Sequence, residues 1–281
     1  MRVVTWNLWW RFGPWEARQK AILSVLRELR PDVVGLQEVW AASAAGGETG
    51  ENLAEWLAGE LGLHCAWAAS HAPGRWRRRI GDDTVDIGNA VLSRWPVVTQ
   101  EVLPLPAPAD VDDGRLALYT RLVTPRHEIP FFTTHLTSAT HASAARCRQV
   151  TALAEFIARH RGDGDFPSIV TGDFNAWPDS DEIRLLGGYK TAPAVPRQVL
   201  LDAWEYADPT APSATWDMAN PYVAAGGGPS VRIDYIHVGP PGPGGLGRVR
   251  GVRRAGDGPV NGIWPSDHAA VVVDLEDGPM P

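Results

Sequence analysis

The 281-residue chain is poor in cysteine, in lysine and in long apolar runs, and each shortage removes a class of protein. Its two cysteines, Cys65 and Cys147, are too few for a disulfide framework and stand in neither a CxxC nor a Cys/His zinc spacing, so free thiols are expected. No run of 18 apolar residues occurs, which excludes an ordinary transmembrane helix. The opening MRVVTWNLWW passes straight into a strand pattern, without the charged, apolar and cleavage regions of a secretion signal. A cytoplasmic protein with no membrane attachment and no obligate protein partner is expected. Lysine occurs only at Lys20 and Lys190, so the other 24 of the 26 basic residues are arginine, and 33 acids outnumber them all. The resulting net charge of −7 repels a polyanion at long range, so any contact with nucleic acid must be local.

What is present describes a globular α/β chain: 44% hydrophobic and 21% charged residues can build a sizeable core at this length. Residues 2–8 (RVVTWNL) read as a strand. In the following segment Ile22, Val25, Leu26 and Leu29 recur at helical spacing until Pro31 ends the pattern. The strand DVVGLQEV comes next, and strand, helix, strand in 40 residues makes a parallel βαβ unit with Asn7 and Glu38 as neighbours at one sheet edge. A flexible AASAAGGETG loop and a helix over 51–61 are expected to follow. Short strands at 64–69, 87–94, 97–103, 115–123 and 129–135 read as antiparallel meanders. The longest helix is expected at 142–161, then the buried strand PSIVTGD, a short helix near 179–186, and strands at 231–238 and 268–275.

The polar residues of interest stand where strands stop. Asn7 follows RVVTW, Glu38 follows VVGLQ, His135 follows PFFTT, Asp173 and Asn175 follow SIVTG, Asp234 lies within VRIDYIHV, and Asp267 with His268 precedes AAVVVDL. Strand ends of a layered α/β protein converge on one rim, where loops carry functional groups on a rigid base. So many acids on one rim cannot all stay charged and unpaired, and a hard cation such as Mg²⁺, which takes carboxylate oxygens and keeps several waters, relieves them. Taken singly, each element has a plainer explanation. GDFN is a natural turn, Glu38 a solvated strand end, Asp234 a structural acid and His135 a satisfied core histidine; their joint occurrence in this order favours a site.

Six motifs carry a resemblance: TWN (Thr5–Asn7), LQEV (Leu36–Val39), THL (Thr134–Leu136), GDFN (Gly172–Asn175), RIDYI (Arg232–Ile236) and SDH (Ser266–His268). In this order they resemble the motif series of the endonuclease/exonuclease/phosphatase superfamily, over residues 3 to about 275. The resemblance implies an α/β four-layer sandwich, with two mixed β-sheets packed face to face and helices outside, occupying 1–281 as one domain. It also implies a phosphoesterase in which Glu38, with Asn7 and Asp267, binds Mg²⁺, Mn²⁺ serving as a substitute. Asp173 then deprotonates the attacking water, Asn175 holds that water or a phosphate oxygen, and His268, oriented by Asp234, opposes phosphoryl charge. His135 is placed near the scissile phosphate.

The substrate is not fixed by that resemblance. The HLTSATHASAARCRQV, ATWD and WPSDH segments look more like the tyrosyl-DNA phosphodiesterase branch than like deoxyribonuclease I, which favours a small, single-stranded or end-modified phosphodiester. The loop APGRWRRRIGDD brings Arg75, Arg77, Arg78 and Arg79 around Trp76, a pattern that suits phosphate contact with base stacking, or a solvated turn. Asn89 in GNAVLSR either faces the site or is structural. Trp9, Trp10, Trp177, Trp216 and Trp264 flank motif residues as pocket-wall candidates, although most of 13 tryptophans must serve the core. Two competing readings are a non-catalytic binding module, against which the intact motif residues argue, and a zinc hydrolase using His135 and His141, which lacks HExxH or comparable spacing.

Overall fold

The computed structural model describes residues 1–42 and 50–278; the loop expected at 41–50 lies, apart from its ends, outside the described residues. In chain order the strands are β1 (Arg2–Asn7), β2 (Val33–Ala42), β3 (His64–Ala69), β4 (Val85–Ser93), β5 (Val97–Pro104) and β6 (Leu116–Val123). They continue as β7 (Glu128–His135), β8 (Ile169–Asp173), β9 (Leu201–Asp202), β10 (Asp234–Val238), β11 (Val249–Ala255) and β12 (Ala270–Leu275). The helices are α1 (Trp15–Leu29), α2 (Leu53–Leu61), α3 (Gly74–Ile80), α4 (Ser143–His160), α5 (Asp181–Gly187) and α6 (Pro221–Ala224).

Two six-stranded sheets result, ordered β11-β12-β1-β2-β4-β3 and β5-β6-β7-β8-β10-β9. Each is mixed because each contains one parallel pair, β1 with β2 and β7 with β8, among antiparallel neighbours. Those pairs are the two βαβ units, bridged by α1 and α4. Helix α1 forms where its apolar stripe of Ile22, Val25, Leu26 and Leu29 buries on the first sheet, and it stops at Arg30, in left-handed conformation just before Pro31. Asn52 caps α2 by accepting from the amides of Ala54 and Glu55. On α4, Val150, Leu153, Ala154 and Ile157 are buried, the first, second and fourth against the second sheet.

Three apolar layers separate four layers of structure. Val4, Trp6, Leu36 and Leu92 pack outward against α1 and α2, while Val3, Val33, Phe131, Ile169 and Val273 fill the space between the sheets. Phe132, Val170 and Tyr235 pack outward against α4 and α5. This is the helix–sheet–sheet–helix sandwich that the motif series implies.

Strand alternation explains where the site must be. Side chains of every second residue face the partner sheet, and along each central strand those inward positions grade from apolar to polar. Val3, Thr5 and Asn7 do so on β1, Val33, Gly35 and Gln37 on β2, Phe131, Thr133 and His135 on β7, and Ile169, Thr171 and Asp173 on β8. Antiparallel β10 reads in reverse, with Asp234 opposite Asp173 and Ile236 deeper. Beneath the polar end, Gln37 bridges the sheets by donating to Thr133 Oγ1 at 2.8 Å. Gly35 permits this approach, since a Cβ there would lie 2.1 Å from Thr171 Oγ1.

Some boundaries differ from the sequence expectation. The arginine-bearing segment is helix α3 rather than a loop, with Trp76 buried in the core and its indole N–H donating to Asp113 O at 2.8 Å. The strand expected at 231–238 begins at Asp234, because Val231 pairs instead with Trp216 in an isolated bridge. The last strand begins at Ala270, not at 268. Strand β11 is not apparent from the sequence: VRGVRRA lies at a sheet edge, with Arg250 and Arg253 exposed and the rest half-buried, and shows no alternation.

Candidate active site

Asp173 is the centre of the polar end. Its Oδ2 accepts from Asn7 Nδ2 at 2.9 Å across the two sheets, and lies 3.2 Å from His135 Nε2 and 3.8 Å from His268 Nε2. Its Oδ1 accepts the backbone N–H of Asn175 at 2.9 Å. His268 is anchored from behind, Nδ1 standing 2.8 Å from Asp234 Oδ2. Asp234 lies under Thr215, whose hydroxyl accepts the backbone amides of Ile233 and Asp234. The Ser266 hydroxyl donates to Asn7 O at 2.7 Å, and the Trp6 indole donates to His268 O at 2.9 Å. The structure therefore brings together Asn7, His135, Asp173, Asn175, Asp234 and His268 from five separated segments.

Glu38 reaches the same cleft through a bulge. Leu36 pairs with Ala90 and Val39 with Gly88, so β2 holds one residue more than β4 between those pairs. The inserted residue lets Val39 resume the outward face while Glu38, at φ 51°, turns into the cleft. Asn175 also adopts left-handed φ, 48°, which turns the chain off the end of β8.

Electrostatics separate the roles of the buried groups. Burial alone would raise Asp173, but His135 and His268 beside it, with the hydrogen bonds from His135 and Asn7, outweigh it and hold the carboxylate well below its usual range. Burial works against a charged His268, yet Asp234, Asp173 and Asp267 around it raise it well above the ordinary histidine value. Asp267 is pushed up to about 7, by burial first and then by Glu38 and Asp173, with His268 and Arg18 opposing.

That strained charge is the test of a metal. Glu38 and Asp267 line one cleft and repel each other where little water reaches. Asn7 Oδ1 accepts Trp9 N–H at 2.9 Å and retains a second lone pair. An oxygen-only donor set of two carboxylates and an amide fits a hard divalent cation. Among the described residues, Asp173, Asp234 and His268 also offer donor atoms within 4.8 Å of one another, but there the imidazole already bridges the two carboxylates.

The substrate-side residues divide. Trp177, half exposed, lines a cleft of about 480 Å³ together with Trp9, Phe12, Trp216 and Arg79. Arg77 is not free for substrate, since its guanidinium pairs with Asp86 at 2.6 Å. Arg75 and Arg78 are exposed on α3 and do not line the cleft. Trp264 lies outside the cleft wall, and Trp10 is core, its indole donating to Asp86 O. Asn89 is buried and donates to Leu116 O at 3.1 Å, bordering a crevice shared with Glu38 and His135.

Three supporting residues escaped the sequence reading. Arg18, buried on α1, donates to the carbonyls of Leu8, Trp9, Trp10, Phe12 and Pro265, fastening both the loop after Asn7 and the segment before Ser266. Arg115 and Asp113 form a buried ion pair of 2.8 Å behind His135. A helical stripe does not distinguish Arg18 from a solvated residue, and DDGR reads as an ordinary turn, so neither left a signal.

Comparison with known proteins agrees with this geometry. The sequence pattern described as the endonuclease/exonuclease/phosphatase family matches residues 4–268, and the chain belongs to that family. That family is one of phosphoesterases. Protein angel of Drosophila melanogaster is 28% identical over 187 residues, 63% of this chain and 48% of that protein; the chain thus spans about half the length of this curated relative. D. rerio TDP2 complexed with single strand DNA product has the same fold, at TM-score 0.72 and 18% identity over 98% of each chain. The human Nocturnin catalytic domain with bound sulfate anion matches at TM-score 0.68 and 21% identity, over 98% of this chain and 94% of its own.

Proposed function

We propose that the chain is a divalent-metal-dependent phosphodiesterase, folded as one domain, that hydrolyses the end of a single-stranded nucleic acid or a nucleotide-like ester. The observation that carries this is Asp173, an ionised carboxylate held between Asn7, His135 and His268 on the floor of an aromatic-walled cleft. Asp173 accepts a proton from water as the water oxygen attacks phosphorus in line with the departing ester oxygen. His268, cationic between its carboxylates, donates toward the phosphoryl oxygens where negative charge grows. Asn175 holds the water or a phosphoryl oxygen, and Asp234 keeps the His268 ring in place. Glu38, with Asn7 and Asp267, would hold Mg²⁺ or Mn²⁺, which supplies charge neutralisation at the phosphate.

The cleft wall argues for the substrate class. Trp9, Phe12, Trp177 and Trp216 offer stacking faces, whereas Arg79 is the single arginine among the lining residues. A duplex polyanion needs a row of cations that this wall and a net charge of −7 do not offer. The similar TDP2 structure was determined with a single-stranded DNA product, which supports the same preference. The test is a panel of single-stranded DNA, 5′-tyrosyl DNA, duplex DNA, RNA, sphingomyelin and nucleotide or sugar phosphates, assayed with Mg²⁺, with Mn²⁺ and with chelator. Metal-dependent cleavage of single strands or end-modified esters ahead of duplex is expected. A preference for monoesters or lipid headgroups would overturn the substrate assignment.

A further inference from the structure

We propose that Arg115 is a positioning residue: its guanidinium holds His135 as the neutral imidazole whose one proton sits on Nε2, facing Asp173. This rests on the reading above, in which His135 stands beside the reacting phosphate. Arg115 Nη1 lies 2.7 Å from His135 Nδ1, both side chains being buried. A guanidinium carries five N–H donors and no acceptor, and it keeps its proton in a protein. A contact of that length therefore requires Nδ1 to be the bare, accepting nitrogen.

The other side of the ring completes the assignment. His135 Nε2 has two polar neighbours, Asp173 Oδ2 at 3.2 Å and Asn175 Nδ2 at 3.0 Å. Asn175 Nδ2 is itself a donor, engaged with Leu136 O at 3.1 Å. Among the described residues the carboxylate is thus the one acceptor in contact with either ring nitrogen, and the imidazole proton goes to the nitrogen that faces it. A second proton, on Nδ1, would set N–H against the guanidinium.

Arg115 is fixed well enough to impose this. Asp113 stands 2.8 Å from its Nε, Trp76 lies under it with the guanidinium carbon 4.9 Å from the ring centroid, and the Trp76 indole donates to Asp113 O. Asp113 accepts in turn from the Thr137 hydroxyl, two residues beyond His135. The ion pair cancels the arginine charge locally, so the assembly contributes direction rather than net charge. His135 then serves as a hydrogen-bond donor at Nε2 and cannot take the proton of the attacking water, which leaves Asp173 as the sole base. A wrong histidine tautomer disables a site without disturbing its geometry.

Long-range ¹H–¹⁵N spectra of imidazole-labelled protein read the tautomer directly. In the wild-type protein near neutral pH, His135 Nδ1 is expected at a bare-nitrogen shift and Nε2 at a protonated one, assigned by comparison with His135→Gln. A protonated Nδ1 overturns the proposal, with no variant of Arg115 required. Arg115→Met should mix the tautomers and lower kcat by roughly 10-fold or more with KM little changed. Arg115→Lys, which keeps a donor on a similar stem, should restore part of both. A folded Arg115→Met protein with unchanged tautomer and wild-type kcat also overturns it. The spectra and the turnover fail separately: absence of cleavage on every diester tested would remove the phosphodiesterase reading while leaving the tautomer measurement decisive for Arg115.

Discussion

His268 Nδ1 lies 2.8 Å from Asp234 Oδ2, and on its far side Nε2 faces Asp173 Oδ2 at 3.8 Å. One imidazole thus joins a buried acid on β10 to the carboxylate at the end of β8, and the acids around it keep it charged. In the proposed mechanism Asp234 fixes the ring and its proton, so neither residue would perform its part alone.

Asp234→Asn and His268→Ala should accordingly each lower turnover by roughly 10²-fold or more. The double variant should be little worse than either single one, because residues acting as a unit are not additive. Steady-state kinetics on a small diester, with circular dichroism to confirm folding, provides the comparison. Losses that multiply would show that the two do not work as a pair.

The extent to which this site was readable follows from how each residue is placed. Asn7, His135 and Asp173 sit at the inward-facing ends of regular strands, so the alternation that builds the sheet also aims the side chain, and a polar residue ending an apolar run announces itself. Glu38 was readable as a type but not in direction: period two sends it outward, and only the bulge against β4 turns it in. Arg115 gave no signal because its partner His135 is brought beside it by the pairing of β6 with β7, where Ala117 meets Thr134. The arginine segment misled because Trp76 counted as a stacking partner, whereas burying that indole folds the segment into α3 and draws Arg77 onto Asp86.

Chelation should abolish activity, and Mg²⁺ or Mn²⁺ should restore it, because the cleft offers oxygen donors that suit hard cations. Glu38→Ala should move the metal titration to higher concentration by roughly 10-fold or more as well as lower the rate. Calorimetric titration of the ion into wild type and variant checks this without an assay. An unchanged titration would remove Glu38 from the metal-binding set.

The exposed face of α3 decides how far a bound strand extends. Arg75 and Arg78 are exposed and Arg79 borders the cleft. If they contact a single strand, replacing all three with Ser should shallow the slope of log affinity against log salt by roughly two, at about 0.7 per phosphate. Cleavage of a small chromogenic diester should hardly change when Arg75 and Arg78 alone are replaced, since neither lines the cleft. An unaltered slope would make α3 a solvated helix and shift the balance toward a compact ester.

Gly35 should not tolerate a side chain. A Cβ there would stand 2.1 Å from Thr171 Oγ1 and 2.9 Å from Thr133 Oγ1, both inward-facing groups of the opposite sheet. Gly35→Ala should destabilise the protein by about 1–3 kcal/mol, the usual range for overpacking, in urea unfolding. Adding Thr171→Ala should recover part of that loss, since it removes the nearer oxygen. Equal stability of Gly35→Ala and wild type would mean that the sheets separate there at no cost.

His237 should make stability fall in mild acid. It is buried on β10 with neither ring nitrogen hydrogen-bonded, and burial lowers it to about 4, with Arg232 adding to the effect and Asp202 and Glu205 opposing it. The folded value lies below the ordinary 6.5 of an exposed histidine, so between those values the unfolded chain binds the proton more readily. Its contribution is therefore harmless above pH 6.5, grows as the pH falls, and reaches full size below pH 4, about 3 kcal/mol from a shift of this extent. His237→Phe keeps a planar ring beside Phe174 and Tyr235, its present neighbours at 5.5 Å, and removes the titrating nitrogens. Urea unfolding of wild type and variant at pH 7.5, 6, 5 and 4 isolates the effect, because the groups away from His237 titrate alike in both. The advantage of the phenylalanine variant should widen steadily from pH 7.5 to 4; a constant difference would show that His237 takes up its proton without unfolding the protein.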